Sequence, residues 1–450
     1  MNKRSFLKLC SAAIATRAFS PFFPRASEEP LHNWAGNITY STDHLDTAST
    51  TAEAVNLVKS HSKLRVLGTR HSFNRLADSR DDFLSVRPLD AILALHPDAR
   101  TVTVGGGATY GHIAPLLDAQ GFALHNLASL PDITVAGATC TATHGSGEKN
   151  GNLSTAVVAL DFIAADGSLV SLSRRADPGK FPGAVVSLGA LGVITQLTLA
   201  IQPTYQVRQY VYENLPFPAL AANFDAIESS AYSVSLFTDW AAGVNEVWLK
   251  VRDDAEKSFD APPEFFGATR AHRNLHPIAA LSAENCTRQM GVPGPWYERL
   301  PHFRIGRTPS AGKELQTEYF VPRRHAVEAI LAVQRLTAQI TPHLLITEIR
   351  TVAADDLWLS PAYLRDSVTI HFTWKPEWDD VSRLLPIIEK QLAPFAPRPH
   401  WAKLFTMPPS SFLPSYEKLD DFRSLAKLYD PQGKFRNDFL NANIFSSALS

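Results

Sequence analysis

"TVTVGGGATYGHIAPLLDAQGFAL", residues 101–124, decides which fold the chain can take. Thr101 to Val104 are β-branched, which suits a strand, and Gly105 to Gly107 end it. "YGHIAPLLDAQG" then has helical spacing, with Gly121 placed to stop the helix. Strand, glycine turn and helix are what a dinucleotide-binding βαβ unit needs, yet its fingerprint fails. Counted from Gly105, Gly-x-Gly-x-x-Gly requires glycine where Tyr110 stands, and Gly111 comes one residue late. GxxxxGK(S/T) is also absent, and Gly145-Ser146-Gly147 is not a nucleophile elbow.

Working outward, the block from Leu31 to Pro203 alternates short strands, helices and turns. "TAEAVNLVKSHS" (51–62) is helical and feeds the strand "KLRVL" (63–67). "VVALDFIAADGSLVSL" is a hairpin about Asp166-Gly167, and "VITQLTLAI" alternates until Pro203 stops it. The pattern is α+β rather than a βαβ series. Beyond Thr204 longer strands appear: "YSVSLFTDW", "NEVWLKVR", "KELQTEYF", "LLITEIRTV" and "SVTIHFTW". "RRHAVEAILAVQRLTAQI" and "DDVSRLLPIIEKQL" read as amphipathic helices beside them.

The chain has 450 residues, 45% of them hydrophobic, enough for two or three domains. Net charge is −1, from 43 basic against 44 acidic side chains, so no basic surplus points to nucleic acid or an anionic membrane. Cys10, Cys140 and Cys286 lack CxxC spacing, which argues against a disulfide framework or structural zinc. No apolar run reaches the roughly 18 residues of a transmembrane helix. "KRSFLK" at residues 3–8 is similar to a twin-arginine export motif with Lys3 for the first arginine. A weakly apolar stretch (Leu9 to Thr16, cut short by Arg17) and small residues near Ala26 follow it. The expectation is a leader over 1–30 that directs export, the alternative being a disordered leader on a cytoplasmic protein.

Four glycine-rich loops lie in the first block: Gly68 to Asn74, Gly105 to Gly107, Val135 to Gly147 and Gly189 to Gly192. Glycines let backbone amides turn toward an anion, and hydroxyls at Thr69, Ser72, Ser129, Thr134, Thr139, Thr141, Thr143 and Ser146 surround them. One such loop is ordinary turn chemistry; four together suit a long dinucleotide. In the second block the period of two places Ser367, Thr369, His371 and Thr373 on one polar face, expected to be the wet side of its strand. Glu348 and Arg350 interrupt an apolar row on "LLITEIRTV". They form a structural ion pair, a solvated face or a ligand site.

"LGTRHSFN", "TVTVGGGATYGHIAPLLDAQGFAL", "NLASLPDITVAGATCTATHGSG" and "SLGALGVITQLTL" together resemble the vanillyl-alcohol-oxidase-type (PCMH-type) flavoproteins. Within these, the chain is most similar to the alditol oxidases. The likeness continues through "NWAGNITY", "GVPGPWYERLPHFR", "EIRTVAAD", "LSPAY", "HFTW", "RPHWAKLF" and the terminal "LYDPQGKFRNDFL". It implies an FAD-binding domain over 31–204, a substrate domain inserted over 205–403 on a large antiparallel sheet flanked by helices, and a segment over 404–450 that completes the FAD domain. It implies FAD bonded covalently through the 8α-methyl to His71, whose neutral imidazole is a competent nucleophile. FAD contacts are implied for Val66, Leu67, Gly68, Thr69, Arg70, Ser72, Ser129, Thr134, Gly137, Thr141, Ala142, Thr143, His144, Ile194 and His400.

The same resemblance places Ser129, Glu348, Arg350 and Thr373 at a polyol, and Lys403 at its reacting end, where composition alone would leave a surface lysine. The implied reaction is hydride transfer from a terminal carbinol carbon to the flavin, with oxygen reduced to hydrogen peroxide. Arg350 and Lys403 stabilise the developing alkoxide, His371 or ordered water takes the proton, and Glu348 anchors a second hydroxyl. Ala128 is small beside the flavin, leaving room for oxygen. The implied partners are a small polyol (xylitol or sorbitol) and oxygen, acting on a monomer. A sugar or sugar-lactone dehydrogenase using another electron acceptor is the alternative. A non-catalytic metal- or nucleotide-binding protein using His71, His144, His371 and His400 is the remote one; no HExxH is present and no metal is expected.

Overall fold

The computed structural model describes residues 30–255, 259–307 and 313–446. The export-like leader therefore lies outside the described residues.

Residues 101–124 fold as their pattern dictates. The strand Thr101–Gly105 runs into the helix Tyr110–Ala119, whose Thr109 cap accepts from the His112 amide at 3.3 Å. Gly121 leaves the helix at φ +81, a conformation that costs a residue without Cβ nothing. The glycine triplet has another task than the one expected of it. A Cβ on Gly106 would stand 2.2 Å from the Ile194 carbonyl oxygen, and one on Gly107 would stand 2.2 Å from that of Val86. These glycines let backbones cross, and only Gly106 and Gly107 also reach the cleft described below.

Three sheets follow from the strand pattern. Leu45–Thr47, Asp82–Ser85 and Leu64–Val66 form a small parallel sheet in that order. Ile92–His96, Thr101–Gly105, Val193–Ala200, Val157–Ile163 and Leu169–Ser173 form an antiparallel one. The expected Asp166-Gly167 hairpin joins its last two strands, with Gly167 at φ +84. From Gln206 onward the chain builds a ten-stranded antiparallel sheet. Its centre runs Gln206–Pro216, Gly243–Arg252, Ser233–Thr238, Leu344–Val352, Ser367–Trp374 and Leu315–Pro322. Helices Phe217–Glu228, Ala326–Gln334 and Trp378–Leu392 cover its apolar face. The helix expected over 323–340 is broken at Arg335 into Ala326–Gln334 and Thr337–Ile340.

Strands on the two sides of Pro203 thus belong to different sheets. The chain's last elements return to the first: the Leu64 amide donates to Lys434 O at 3.1 Å, Arg65 Nη1 to Phe435 O at 2.7 Å, and Asn437 Nδ2 to Leu76 O at 3.0 Å. The small and the large sheets face one another across a long cleft. The Gly147 amide pins its far wall, donating to Thr351 O at 3.0 Å.

Candidate active site

The cleft has two unlike walls. One is the turn Gly68–Ser72 with the segment Thr134–His144. The other is the polar face of the large sheet. Acidic side chains among the lining residues are confined to the sheet wall: Glu314, Glu318 and Glu348. The turn wall carries hydroxyls, glycines and Arg70 instead.

His71 follows the strand Leu64–Val66 directly. Arg70 sits at φ +62, which turns the chain so that its carbonyl accepts from the Trp34 amide at 2.8 Å. The Trp34 ring lies 4.3 Å from the His71 imidazole, and Phe73 meets it edge-on at 6.0 Å. Burial, then the Lys403 charge, push His71 down to about 4, so its ring is neutral at ordinary pH. Among the described residues no backbone carbonyl accepts from the amides of Gly68, Thr69, Arg70, His71 or Ser72. A run of free amides beside a Gly68 too crowded for any Cβ (Thr134 Oγ1 would be 2.5 Å away) is an anion cradle. The wall without carboxylates therefore fits the pyrophosphate of a dinucleotide.

The sheet wall is assembled by register. His371 pairs with Glu348 on one side and Glu318 on the other, so three polar side chains lie in one row across three strands. Arg350 stands in the next row, opposite Ser235, and Thr373 in the row before, opposite Gln316 and Ile346. All eight residues of Ser367–Trp374 are buried. The face expected to be wet is thus the wall of an enclosed cleft, not solvent-exposed surface.

Charges on this wall interlock. Arg350 Nη2 donates to Glu318 Oε1 at 2.8 Å, and its Nε is 3.5 Å from Glu348 Oε1. Lys403 Nζ donates to Glu318 Oε2 at 2.7 Å, and His144 Nε2 is 3.2 Å from Glu318 Oε1. Burial would raise the Glu318 carboxyl, but Lys403, His144 and Arg350 hold it well below the carboxylate range. Glu348 is held down likewise, by Arg350 and His302 against burial. Desolvation pushes the Lys403 ammonium down while Glu318 resists. His371, by burial and then Lys403, falls to about 4 and is neutral; among the described residues its Nε2 has no partner, and its Nδ1 lies 3.8 Å from Glu348 Oε2.

The residues named from sequence mostly meet here. Val66 through Ser72, Ser129, Thr134, Gly137, Thr141, Thr143, His144, Ile194, Glu348, Arg350, His371, Thr373, His400 and Lys403 all line the cleft. Ala142 does not. It is fully buried in the core at φ +54, where it turns the chain behind the wall. Ser129 is held by its carbonyl, which accepts from the Phe303 amide at 3.3 Å. Glu318 and His302 were not named, although both line the cleft, and neither was Lys250 behind it. For Glu318 the signal was present: Gln316 and Glu318 alternate on "KELQTEYF" as Glu348 and Arg350 do on "LLITEIRTV". His144, Glu318 and His400 bring potential ligand atoms within 4.8 Å of one another. Both oxygens of Glu318 already face cations, so this cluster is chemically an anion spacer between them and a poor metal site.

Comparison with known proteins identifies the family of the chain. An FAD binding domain model matches residues 44–173, and a D-arabinono-1,4-lactone oxidase model matches residues 310–443. An alditol oxidase from Streptomyces sp. (strain IKD472) is 46% identical over 415 residues, spanning 91% of this chain and 97% of its own. The chain belongs to the alditol oxidase family. L-gulonolactone oxidase of Mus musculus is 26% identical to this family member over 84% of the chain and 89% of its own length. L-gulono-1,4-lactone dehydrogenase of Mycobacterium tuberculosis is 25% identical over 90% of the chain and 97% of its own length. Cholesterol oxidase from B. sterolicum shares the fold, with a TM-score of 0.72 at 16% identity, over 96% of this chain and all of its own. Like that fold, the alditol oxidase family member is α+β, with a large antiparallel sheet.

Proposed function

We propose that the protein is an FAD-dependent oxidase of alditols that converts a terminal primary hydroxyl to the aldehyde and reduces oxygen to hydrogen peroxide. The observation that carries this is the cleft itself: a carboxylate-free anion cradle beside His71 faces a buried polar sheet wall holding Glu348, Arg350, His371, Thr373 and Lys403. Bound FAD supplies the two-electron acceptor for the carbinol hydride. The free amides of Gly68–Ser72 and the hydroxyls of Thr69, Thr134, Thr141 and Thr143 hold it, and the neutral His71 imidazole carries the covalent link.

A polyol offers many hydroxyls, and this wall offers donors and acceptors in matching number. Arg350 and Lys403, spaced by Glu318, present positive charge where an alkoxide develops. The neutral His371, whose Nε2 has no partner among the described residues, accepts the hydroxyl proton. Glu348 accepts from a second hydroxyl and fixes the chain's orientation. Units over 31–204 and 404–450 form the cofactor half and 205–403 the substrate half. The leader over 1–30 directs export, and the protein acts as a monomer.

The test is the flavin spectrum before and after xylitol under anaerobic conditions, followed by air. Bleaching by xylitol with rapid return on aeration is the expected result. Bleaching without return in air favours the second reading, a dehydrogenase using another acceptor. That reading is supported by the lactone dehydrogenase relative. No bleaching by any polyol overturns the proposal. His71→Ala is expected to release FAD on acid precipitation; a fluorescent pellet from that variant would place the bond elsewhere.

A further inference from the structure

Behind the sheet wall lies a lysine, pushed down to about 7 by burial, that neither the cofactor half nor the reacting hydroxyl uses. Lys250, on the strand Gly243–Arg252, is 1% exposed. Among the described residues no carboxylate lies within ion-pair distance of it. Its Nζ donates to Leu300 O and lies 2.9 Å from His302 Nδ1. His302 Nε2 in turn lies 2.7 Å from Glu348 Oε1. The ring between them is held in place by edge-on contacts with Trp248 at 5.2 Å and Phe237 at 5.3 Å.

We propose that Lys250 is a positioning residue for substrate selection, acting through His302 to hold Glu348 as an oriented, ionised acceptor for a polyol hydroxyl. When protonated, Lys250 has only donors, and the His302 nitrogen it meets is then the lone-pair nitrogen. The ring proton is then on Nε2, aimed at Glu348 Oε1. An ionised carboxylate has only acceptors and demands the same tautomer from its own side. Both ends therefore agree on one arrangement. Oε1 is committed to His302 and Arg350, and Oε2, 3.8 Å from His371, is left for substrate. Lys250 does not line the main cleft, whereas His302 does, so the lysine acts only through the imidazole.

This rests on the reading of Glu348 as a polyol-binding group, and the experiment separates the two. Lys250→Met and Lys250→Gln are compared with the wild type in flavin content, Tm and xylitol kinetics, each also in a Glu348→Gln background. Lys250→Met is expected to raise KM about 10-fold with kcat within about 2-fold, because it disturbs positioning and leaves Arg350, Lys403 and His371 in place. Lys250→Gln, which still offers an N–H to Nδ1, is expected to recover part of that loss. In the Glu348→Gln background neither substitution should add to the effect, since the lysine works through that carboxylate. Unchanged KM, additive effects, or loss of flavin and Tm in both variants overturns the proposal, the last by marking a structural prop. Wild-type protein inert toward every polyol overturns the reading of the site itself.

Discussion

Lys403 Nζ and Glu318 Oε2 stand 2.7 Å apart, and the other oxygen of that carboxylate holds Arg350 at 2.8 Å. A single buried anion thus sets the spacing of two cations on one wall. Glu318→Gln leaves those cations to share Glu348. It is expected to cost about 3–5 kcal/mol in urea unfolding, as for one broken partner of a buried pair. It should also lower kcat more than it raises KM. Wild-type stability in this variant would show that the cluster is solvated in solution.

Arg350 was open to three explanations, an ion pair, a solvated face or a substrate contact; burial removes the second, and its geometry serves the other two. Its guanidinium spans Glu318 and Glu348 from two nitrogens, which an ammonium cannot do. Arg350→Lys is therefore expected to retain most of the stability yet lose at least about 10-fold in kcat/KM for xylitol. Arg350→Ala should lose on the order of 100-fold or more and melt earlier. Kinetics and melting on the same samples check this; equal kcat/KM for Lys and Arg would remove the bidentate role.

Glu228 accepts from Thr351 Oγ1 at 2.9 Å and is otherwise enclosed. Burial pushes its carboxyl up to about 8 from an ordinary 4.5. The folded state then binds a proton that the unfolded state releases, so this group's contribution falls as pH rises from 4.5 through about 8. Glu228→Gln keeps the acceptor and cannot ionise. Relative to wild type, its stability should improve by roughly 1.4 kcal/mol per pH unit inside that window and level off above it. Denaturant unfolding at pH 5, 6.5 and 8 measures this, and a pH-independent difference would contradict it.

Gly107→Ala would place a methyl 2.2 Å from Val86 O and 2.4 Å from Arg87 O, where only backbone can give way. It is expected to abolish soluble, flavin-loaded protein. Gly36→Ala, at φ +71 with nothing within 4 Å, should cost only about 1 kcal/mol in Tm-derived stability. Similar yields of yellow protein from both would refute the crossing argument.

Much of this was legible because strands have a period of two. Glu348 with Arg350, and His371 with Thr373, could be placed on common faces from their spacing alone. Antiparallel register between distant strands is not written in any one of them. The alternation in "KELQTEYF" puts Glu318 and Gln316 on one face, but only the register shows that this face meets His371. Lys250 and His302 meet across 52 residues, and only the packing of Trp248 and Phe237 around the ring reveals why. The glycine triplet misled in a different way. Glycine serves close backbone crossing and anion binding equally well, and composition does not separate them.

The return of Lys434, Phe435 and Asn437 to the strand and turn at Lys63–Leu76 has a bearing on biosynthesis. The Arg65 guanidinium is buried against Phe435 O and the carbonyls of Leu76, Leu188 and Gly189. On the ribosome Leu76 arrives first, then Leu188 and Gly189, and Phe435 emerges last, some 370 residues after Arg65 itself. Until then the turn that carries His71 lacks its outer brace, and contacts of such separation form late. The large sheet itself needs strands up to Arg398–Pro399, so it too is complete only near the end of synthesis. A chain terminated before Lys434 is therefore expected to lack the brace of that turn and to purify without flavin.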